Sequence, residues 1–281
     1  MTDRPDRGMT AGPGGATPAR PVIEVRDLWK SFGDLEVLRG VDLTVLEGET
    51  MVVLGASGCG KSVLLKHVIG LMKPDRGSIV IEGREITKLG SRELKDLRMT
   101  FGMVFQGAAL FDSMTVGENV GLPLKEHRGI RGVELADIVE TKLRMVGMAG
   151  VSHQRPSQIS GGMKKRVALA RAIALDPDII LYDEPTTGLD PIMAEQINQL
   201  IRALQRKVNA TSIVVTHDLH SARFTGDNIA LMHEGRIEFV GTLDELKCSD
   251  NTAVRTFLAR GRVPVPGSSA DDRPVDPEVF A

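Results

Sequence analysis

The sequence predicts an α/β fold built on a parallel sheet with helices on both faces, and three observations carry that prediction. Short runs of consecutive apolar residues recur at Met51-Val52-Val53-Leu54, Ile179-Ile180-Leu181-Tyr182 and Ile213-Val214-Val215. Unbroken rather than alternating apolar residues mark strands covered on both faces, the usual condition inside a parallel sheet. Helically patterned stretches follow each run, as βα units require. Each run also ends in polar groups: a glycine-rich loop after Leu54, Asp183-Glu184 after Tyr182, and His217 after Thr216.

The composition fits one sizeable soluble domain. The chain has 281 residues, 42% hydrophobic and 26% charged, with a formal net charge of −2. Such a balance gives no global attraction to nucleic acid or to an anionic membrane. Cys59 and Cys248 are the only cysteines, so neither a disulfide framework nor paired metal ligands are expected, and a reducing cytosol suits the chain. No apolar run approaches the roughly 20 residues that cross a bilayer. The N-terminal arginines precede no apolar stretch, so they do not read as a secretory signal. A role at a membrane therefore requires spanning helices from another chain.

In chain order, residues 1–20 are rich in Gly, Pro, Thr and Arg and are predicted to be a disordered arm. The folded domain is predicted over residues 21–260. Val22-Ile23-Glu24-Val25-Arg26-Asp27-Leu28 and the segment Val37 to Leu46 alternate imperfectly, which predicts an antiparallel sheet layered on the parallel one. Val63 to Met72 is apolar nearly all round and predicts a core helix that stops near Gly70 and Pro74. Residues from about 107 to 165 interrupt the strand rhythm and predict an inserted helical subdomain. Asp190-Pro191 reads as an N-cap followed by proline in the first turn, with Ile197, Leu200, Ile201 and Leu204 on one face through to about Lys207. The final stretch, 261–281, holds Pro264, Pro266, Pro274 and Pro277 beside Asp271, Asp272 and Asp276. It is predicted to be a Pro-rich tail without regular structure of its own.

Gly55-Ala56-Ser57-Gly58-Cys59-Gly60-Lys61-Ser62 fits the pattern G-x-x-x-x-G-K-S between a buried strand and a helix. Glycines let backbone N–H groups close around phosphate oxygens, and the following helix adds the positive end of its dipole. Lys61 is expected to reach the β- and γ-phosphates of a nucleotide, and Ser62 to ligate Mg²⁺. The alternative is a glycine-rich turn that binds nothing, and the flanking strand and helix speak against it. Cys59 is read as a filler position rather than a redox centre. Asp183 is expected to hold the Mg²⁺ shell, and Glu184 to orient or deprotonate an attacking water; taken alone, the pair is equally a polar exit from the core. His217 differs from His67, His127, His153, His220 and His233, which are read as structural, because of where it stands. Open α/β sheets bind ligands at the carboxyl edge of their strands, and three buried strands deliver polar groups there.

Ser160 reads as the N-cap of a helix, yet Gly161 and Gly162 directly after it are poor helix formers. A second exposed helix N-terminus with close backbone access is a second grip for phosphate. Ser-Gly-Gly about 100 residues after a phosphate loop, then Asp183-Glu184-Pro185, Gly188-Leu189-Asp190 and Thr216-His217, resembles the ABC ATPase family over about residues 22–248. The resemblance implies a P-loop NTPase cassette with a RecA-like parallel-sheet core, an antiparallel β subdomain and an inserted helical subdomain. It implies hydrolysis of ATP with Mg²⁺ by a homodimer. Each nucleotide would lie between Gly55, Ser57, Gly58, Cys59, Gly60, Lys61 and Ser62 of one copy and Ser160, Gly161 and Gly162 of the other. By the same resemblance Phe32 stacks on adenine, Gln106 touches Mg²⁺ and the attacking water and senses the transporter, Asp190 couples the two sites, and His217 contacts the γ-phosphate.

The chain departs from the family at Met163, where Gln is usual and whose hydrogen bonds Met cannot replace. Met163, the segment Phe105 to Val116 and Val254-Arg255-Thr256-Phe257-Leu258 are similar to the Mla/Mkl branch of that family. That branch implies transmembrane permease subunits of Mla type, Mce-type lipid-binding proteins, transport of phospholipids or other lipids between bacterial membranes, and a peripheral place on the cytoplasmic face of the inner membrane. Ala109, Leu110, Phe111, Met114 and Val116 either line a groove for a permease helix or pack the core. The tail after Gly261 is expected to clasp the opposite subunit, Val279 and Phe280 being its apolar end. Two other readings remain: an ATPase of an importer for amino acids or other small solutes, and a soluble ABC-type ATPase acting on nucleic acid or ribosomes. Near-neutral charge, a single cassette and the lack of a long heptad insertion speak against the last, so no nucleic-acid partner is expected.

Overall fold

A computed structural model describes residues 20–260 of the chain. The predicted arm before residue 20 and the predicted tail over 261–281, with its clasp on a partner, lie outside the described residues. The chain opens with strands β1 (Pro21–Phe32), β2 (Leu35–Leu46) and β3 (Thr50–Leu54), followed by helix α1 (Lys61–Val68). Strands β4 (Arg76–Ile81) and β5 (Arg84–Glu85), helix α2 (Ser91–Arg98) and strand β6 (Phe101–Val104) come next. Helices α3 (Val116–Arg128), α4 (Gly132–Met145) and α5 (Gly161–Ala172) then run in succession. After them come β7 (Ile179–Asp183), α6 (Pro191–Val208), β8 (Thr211–Thr216), α7 (Leu219–Thr225) and β9 (Asn228–His233). Strand β10 (Arg236–Gly241) and helices α8 (Leu243–Cys248) and α9 (Thr252–Arg260) complete the described residues.

Two sheets form. One is antiparallel in the order β2-β1-β4-β5, and the other has the order β10-β9-β3-β8-β7-β6. In the second sheet only the edge strand β10 runs antiparallel to its neighbour. Successive side chains of a strand point to opposite faces, and the core divides accordingly. Met51, Val53, Leu181, Ile213 and Val215 face the antiparallel sheet and α1, where Ile23, Val25, Val41, Ile79, Ile81, Leu64 and Leu65 meet them. Val52, Leu54, Ile180, Tyr182 and Val214 face the other way, onto Val167, Ala170, Ile197 and Ile201 of α5 and α6. Both sets are fully buried, which is why these strands read as unbroken apolar runs. Each such Val, Leu or Ile gains about 1.5–3 kcal/mol on leaving water.

The structure differs from the sequence reading at the end of the first helix, which stops at Val68 rather than continuing to Met72. Gly70 takes φ +67, its N–H bonds to the His67 carbonyl, and the Leu71 N–H bonds to the Lys66 carbonyl. That is a left-handed glycine terminus satisfying the last free carbonyls. The expected start at Asp190 is present: its carboxylate accepts from the Met193 N–H at 3.0 Å, with Pro191 in the first turn. Helix α3 opens on a reciprocal cap between Thr115 and Glu118. Among the described residues no helix is long and apolar enough to cross a membrane.

Strand β6 and helix α5 approach closely. A Cβ added at Gly102 would stand 2.4 Å from the Ala172 carbonyl oxygen at the end of α5. Gly102→Ala is therefore expected to cost about 1–3 kcal/mol of stability through overpacking, read as a lower urea midpoint of the full chain. An unchanged midpoint would show that the approach is not tight.

Candidate nucleotide-binding site

The ladder register brings the polar strand ends together. Leu54 pairs with Thr216 and Asp183 with Val215, so the loop after β3, the Asp183-Glu184 pair and His217 leave the same sheet edge on three neighbouring strands.

In the loop, Gly58 has φ +82 and Gly60 φ +109, backbone that residues with a Cβ adopt only at a cost. A Cβ at Gly60 would also lie 2.9 Å from Leu38, and one at Gly55 2.4 Å from the Met232 carbonyl oxygen. Packing alone thus demands Gly55 and Gly60, whereas a Cβ at Gly58 would meet nothing. Lys61, 5% exposed, donates from Nζ to the carbonyls of Gly55 at 2.8 Å and Ala56 at 3.0 Å. The same Nζ lies 3.5 Å from Glu184 Oε1. Half-buried Cys59 has its thiol pKa raised by burial, against the opposing charge of Lys61. A raised thiol pKa means little thiolate, in keeping with a filler position.

Ser62 Oγ donates to Asp183 Oδ1 at 2.7 Å. A hydroxyl and a carboxylate side by side are hard oxygen donors. They suit a divalent cation such as Mg²⁺, which keeps several waters and draws its remaining ligands from phosphates. Glu184 sits at the centre of the site, 8% exposed and with φ +46. Its Oε2 accepts from His217 Nδ1 at 2.9 Å and from Thr187 Oγ1 at 3.1 Å, and its own N–H bonds to the Val215 carbonyl. Left-handed backbone at a residue with a Cβ costs about 1–2 kcal/mol, and here the β7–β8 ladder holds it in place. Thr187 was not singled out from the sequence, because nothing in Thr186-Thr187-Gly188 distinguishes it from a turn residue.

The remaining predicted residues stand around this centre. Gln106 is exposed just beyond β6, the strand beside β7, and its backbone carbonyl accepts from Lys165. Phe32, 47% exposed at the end of β1, has Lys30 Nζ 5.7 Å from its ring centroid. Ser160 caps α5, its Oγ accepting from the Met163 N–H at 3.3 Å. A Cβ at Gly162 would press on the flexible tip of Met193, but one at Gly161 would meet nothing. Among the described residues nothing requires Gly161 to lack a side chain, and none of them stands over that position. Met163 is partly buried against the helical side of the core, so its side chain packs where a Gln would have bonded. Of the residues expected to line a groove or to pack, Val116 is buried, Leu110 and Met114 are half-buried, and Ala109 and Phe111 are exposed; Phe105, earlier in the segment, is exposed as well. A cavity of about 540 Å³ borders Ala56, Ser57 and His217, but its far wall is Leu243, Phe257 and Leu258. The lining also includes His220, Arg223 and Lys247.

The profile of the ABC transporter family matches residues 38–187. The chain is 43% identical over 260 residues to the probable ribonucleotide transport ATP-binding protein mkl of Mycobacterium leprae, covering 92% of this chain and 75% of that protein. It is 40% identical over 237 residues to the intermembrane phospholipid transport system ATP-binding protein MlaF of Haemophilus influenzae, covering 84% of this chain and 90% of that protein. Among solved structures, the post-hydrolysis dimer of the ATP-binding cassette MJ0796 bound to ADP and Pi is 35% identical. It has a TM-score of 0.72 and covers 79% of this chain and 98% of that one.

Lys61→Ala is expected to weaken ATP binding about a hundredfold or more, since charge-assisted hydrogen bonds contribute about 1.5–3 kcal/mol each. Titration calorimetry checks this, and retained affinity with an unchanged melting temperature would overturn the loop as the phosphate site.

Proposed function

The chain belongs to the ABC transporter family of ATP-binding proteins and hydrolyses ATP, and we propose that it energises lipid transport with an Mla-type permease. The cradle of Lys61, Ser62, Asp183, Glu184 and His217 at one sheet edge supports the nucleotide chemistry of this reading. Its support beyond the cradle is the likeness to MlaF along nearly the whole of that protein.

In this reading the Lys61 ammonium exchanges its loop carbonyls for β- and γ-phosphate oxygens, which are stronger acceptors for a cation. Ser62 and Asp183, with Gln106, would hold Mg²⁺, which would supply charge neutralisation for the phosphoryl group transferred to water. Glu184 takes the proton of the attacking water, and Thr187 and His217 fix its carboxylate. His217 is half exposed on its far side and so also reaches the γ-phosphate. Phe32 stacks on adenine. A second copy of the chain closes the site with Ser160, Gly161 and Gly162, a turn at which no described residue stands over Gly161, and Asp190 joins the two sites. The exposed rings of Phe105 and Phe111 beside Gln106 meet the permease. The subunit works peripherally on the cytoplasmic face of the inner membrane, with Mce-type proteins as the lipid-binding partners of the system. A second reading, transport of a small solute such as a nucleotide, is favoured by the name of the mkl relative.

Purification of the tagged chain in mild detergent separates these readings by the membrane chain that accompanies it, a lipid permease or a solute permease. Phospholipid-stimulated ATP hydrolysis by the reconstituted assembly is expected; stimulation by solute alone would displace the lipid reading. Glu184→Gln is expected to bind ATP, hold a closed dimer on size exclusion, and turn over at least about a hundredfold more slowly, the usual contribution of a general base. Hydrolysis at the normal rate would remove the role given to Glu184.

A further inference from the structure

Helix α5, which begins at the Ser160 turn, also grips the loop that carries Gln106. Lys165, 6% exposed, donates from Nζ to the Gln106 carbonyl at 2.5 Å. Farther along the helix, Arg171 spreads its guanidinium over the two carbonyls that follow, with Nη2 on Ala108 at 2.9 Å and Nη1 on Ala109 at 2.7 Å. Ala108 and Ala109 have φ +62 and +48. Consecutive left-handed residues with a Cβ persist only where their surroundings hold them, and here the guanidinium fork is what binds their carbonyls. Burying a cation is expensive, and an apolar side chain of the same length would fill the space at less cost.

We propose that Lys165 and Arg171 are positioning residues for Gln106, latching its loop to α5 so that Gln106 and the Ser160 turn move as one body. The proposal rests on the reading of Gln106 as a ligand of the metal and attacking water. A permease that pushes on Phe105 or Phe111 then displaces the phosphate grip offered to the opposite subunit and the water-handling group of its own site together. Arg171 maintains the shape of the loop, and Lys165 sets where its glutamine stands.

The test uses the full-length chain with Lys165→Met, Lys165→Arg, Arg171→Lys and Gln106→Ala. Lys165→Met is expected to lower kcat about tenfold with ATP affinity within about twofold of the parent, and to speed amide exchange over residues 106–110. Lys165→Arg, which keeps a cationic donor, is expected to restore both. Arg171→Lys, which loses the fork, is expected to lower kcat and to speed exchange at 108–110, and adding Ala108→Gly with Ala109→Gly is expected to recover part of the kcat by relieving the left-handed strain. Because Lys165 acts through Gln106, the double variant with Gln106→Ala is expected to be no slower than Gln106→Ala alone. Parental exchange in Lys165→Met, or losses that simply add in the double variant, would overturn the latch. If Gln106→Ala keeps full turnover, the role of Gln106 fails instead, and faster exchange in Lys165→Met would still support the latch.

Discussion

Strands β3, β8 and β7 lie side by side in parallel, and the hydrogen-bond ladder between them aligns Leu54, Thr216 and Asp183 to within one residue. The side chains that precede those ends are buried on both faces. Polar groups therefore emerge only where the strands stop, and because the strands stop together the polar groups meet. The phosphate loop, the carboxylate pair and the histidine owe their proximity to a backbone constraint, not to attraction among themselves. That order of cause matters, since Lys61, Asp183 and Glu184 are costly to bury and the packing of the strands must hold them in place.

Within that frame Glu184 is over-determined. A left-handed backbone, a ladder hydrogen bond to Val215, and bonds from His217 and Thr187 all fix one carboxylate. Lys61, close to its other oxygen, balances its charge. Truncating one member of such a set leaves the others buried and unpaired, which costs more than the lost contact itself. The site is best regarded as a single unit whose members are not independently replaceable.

The parts that were legible in the sequence are those with a local signature. Unbroken apolar runs announce the central strands, Asp190-Pro191 the start of α6, and the glycines from Gly55 to Gly60 the tight loop between β3 and α1. What stayed hidden depends on contacts between distant segments. Ala108 and Ala109 carry no turn signal, because alanine is no usual left-handed residue; the Arg171 fork on their carbonyls and the bond from the Ala108 N–H to the Phe105 carbonyl hold their shape. Lys165 and Arg171 read as ordinary polar positions of a helix until the fold sets them against the Gln106 loop. Gly102 resembles any glycine in a strand until Ala172 closes on it. Even Met163, visible as a departure, acquired a physical account only when its side chain was found packed against the helical side of the core.

The central sheet is also a partition. Val52 belongs to the helical side and its neighbour Val53 to the antiparallel side, with no side-chain contact required between the two compartments. Changes of volume on opposite faces are therefore free to accumulate independently, as energies at unlinked positions add. Such insulation offers a physical reason why one hydrolytic engine can be fitted to many transporters.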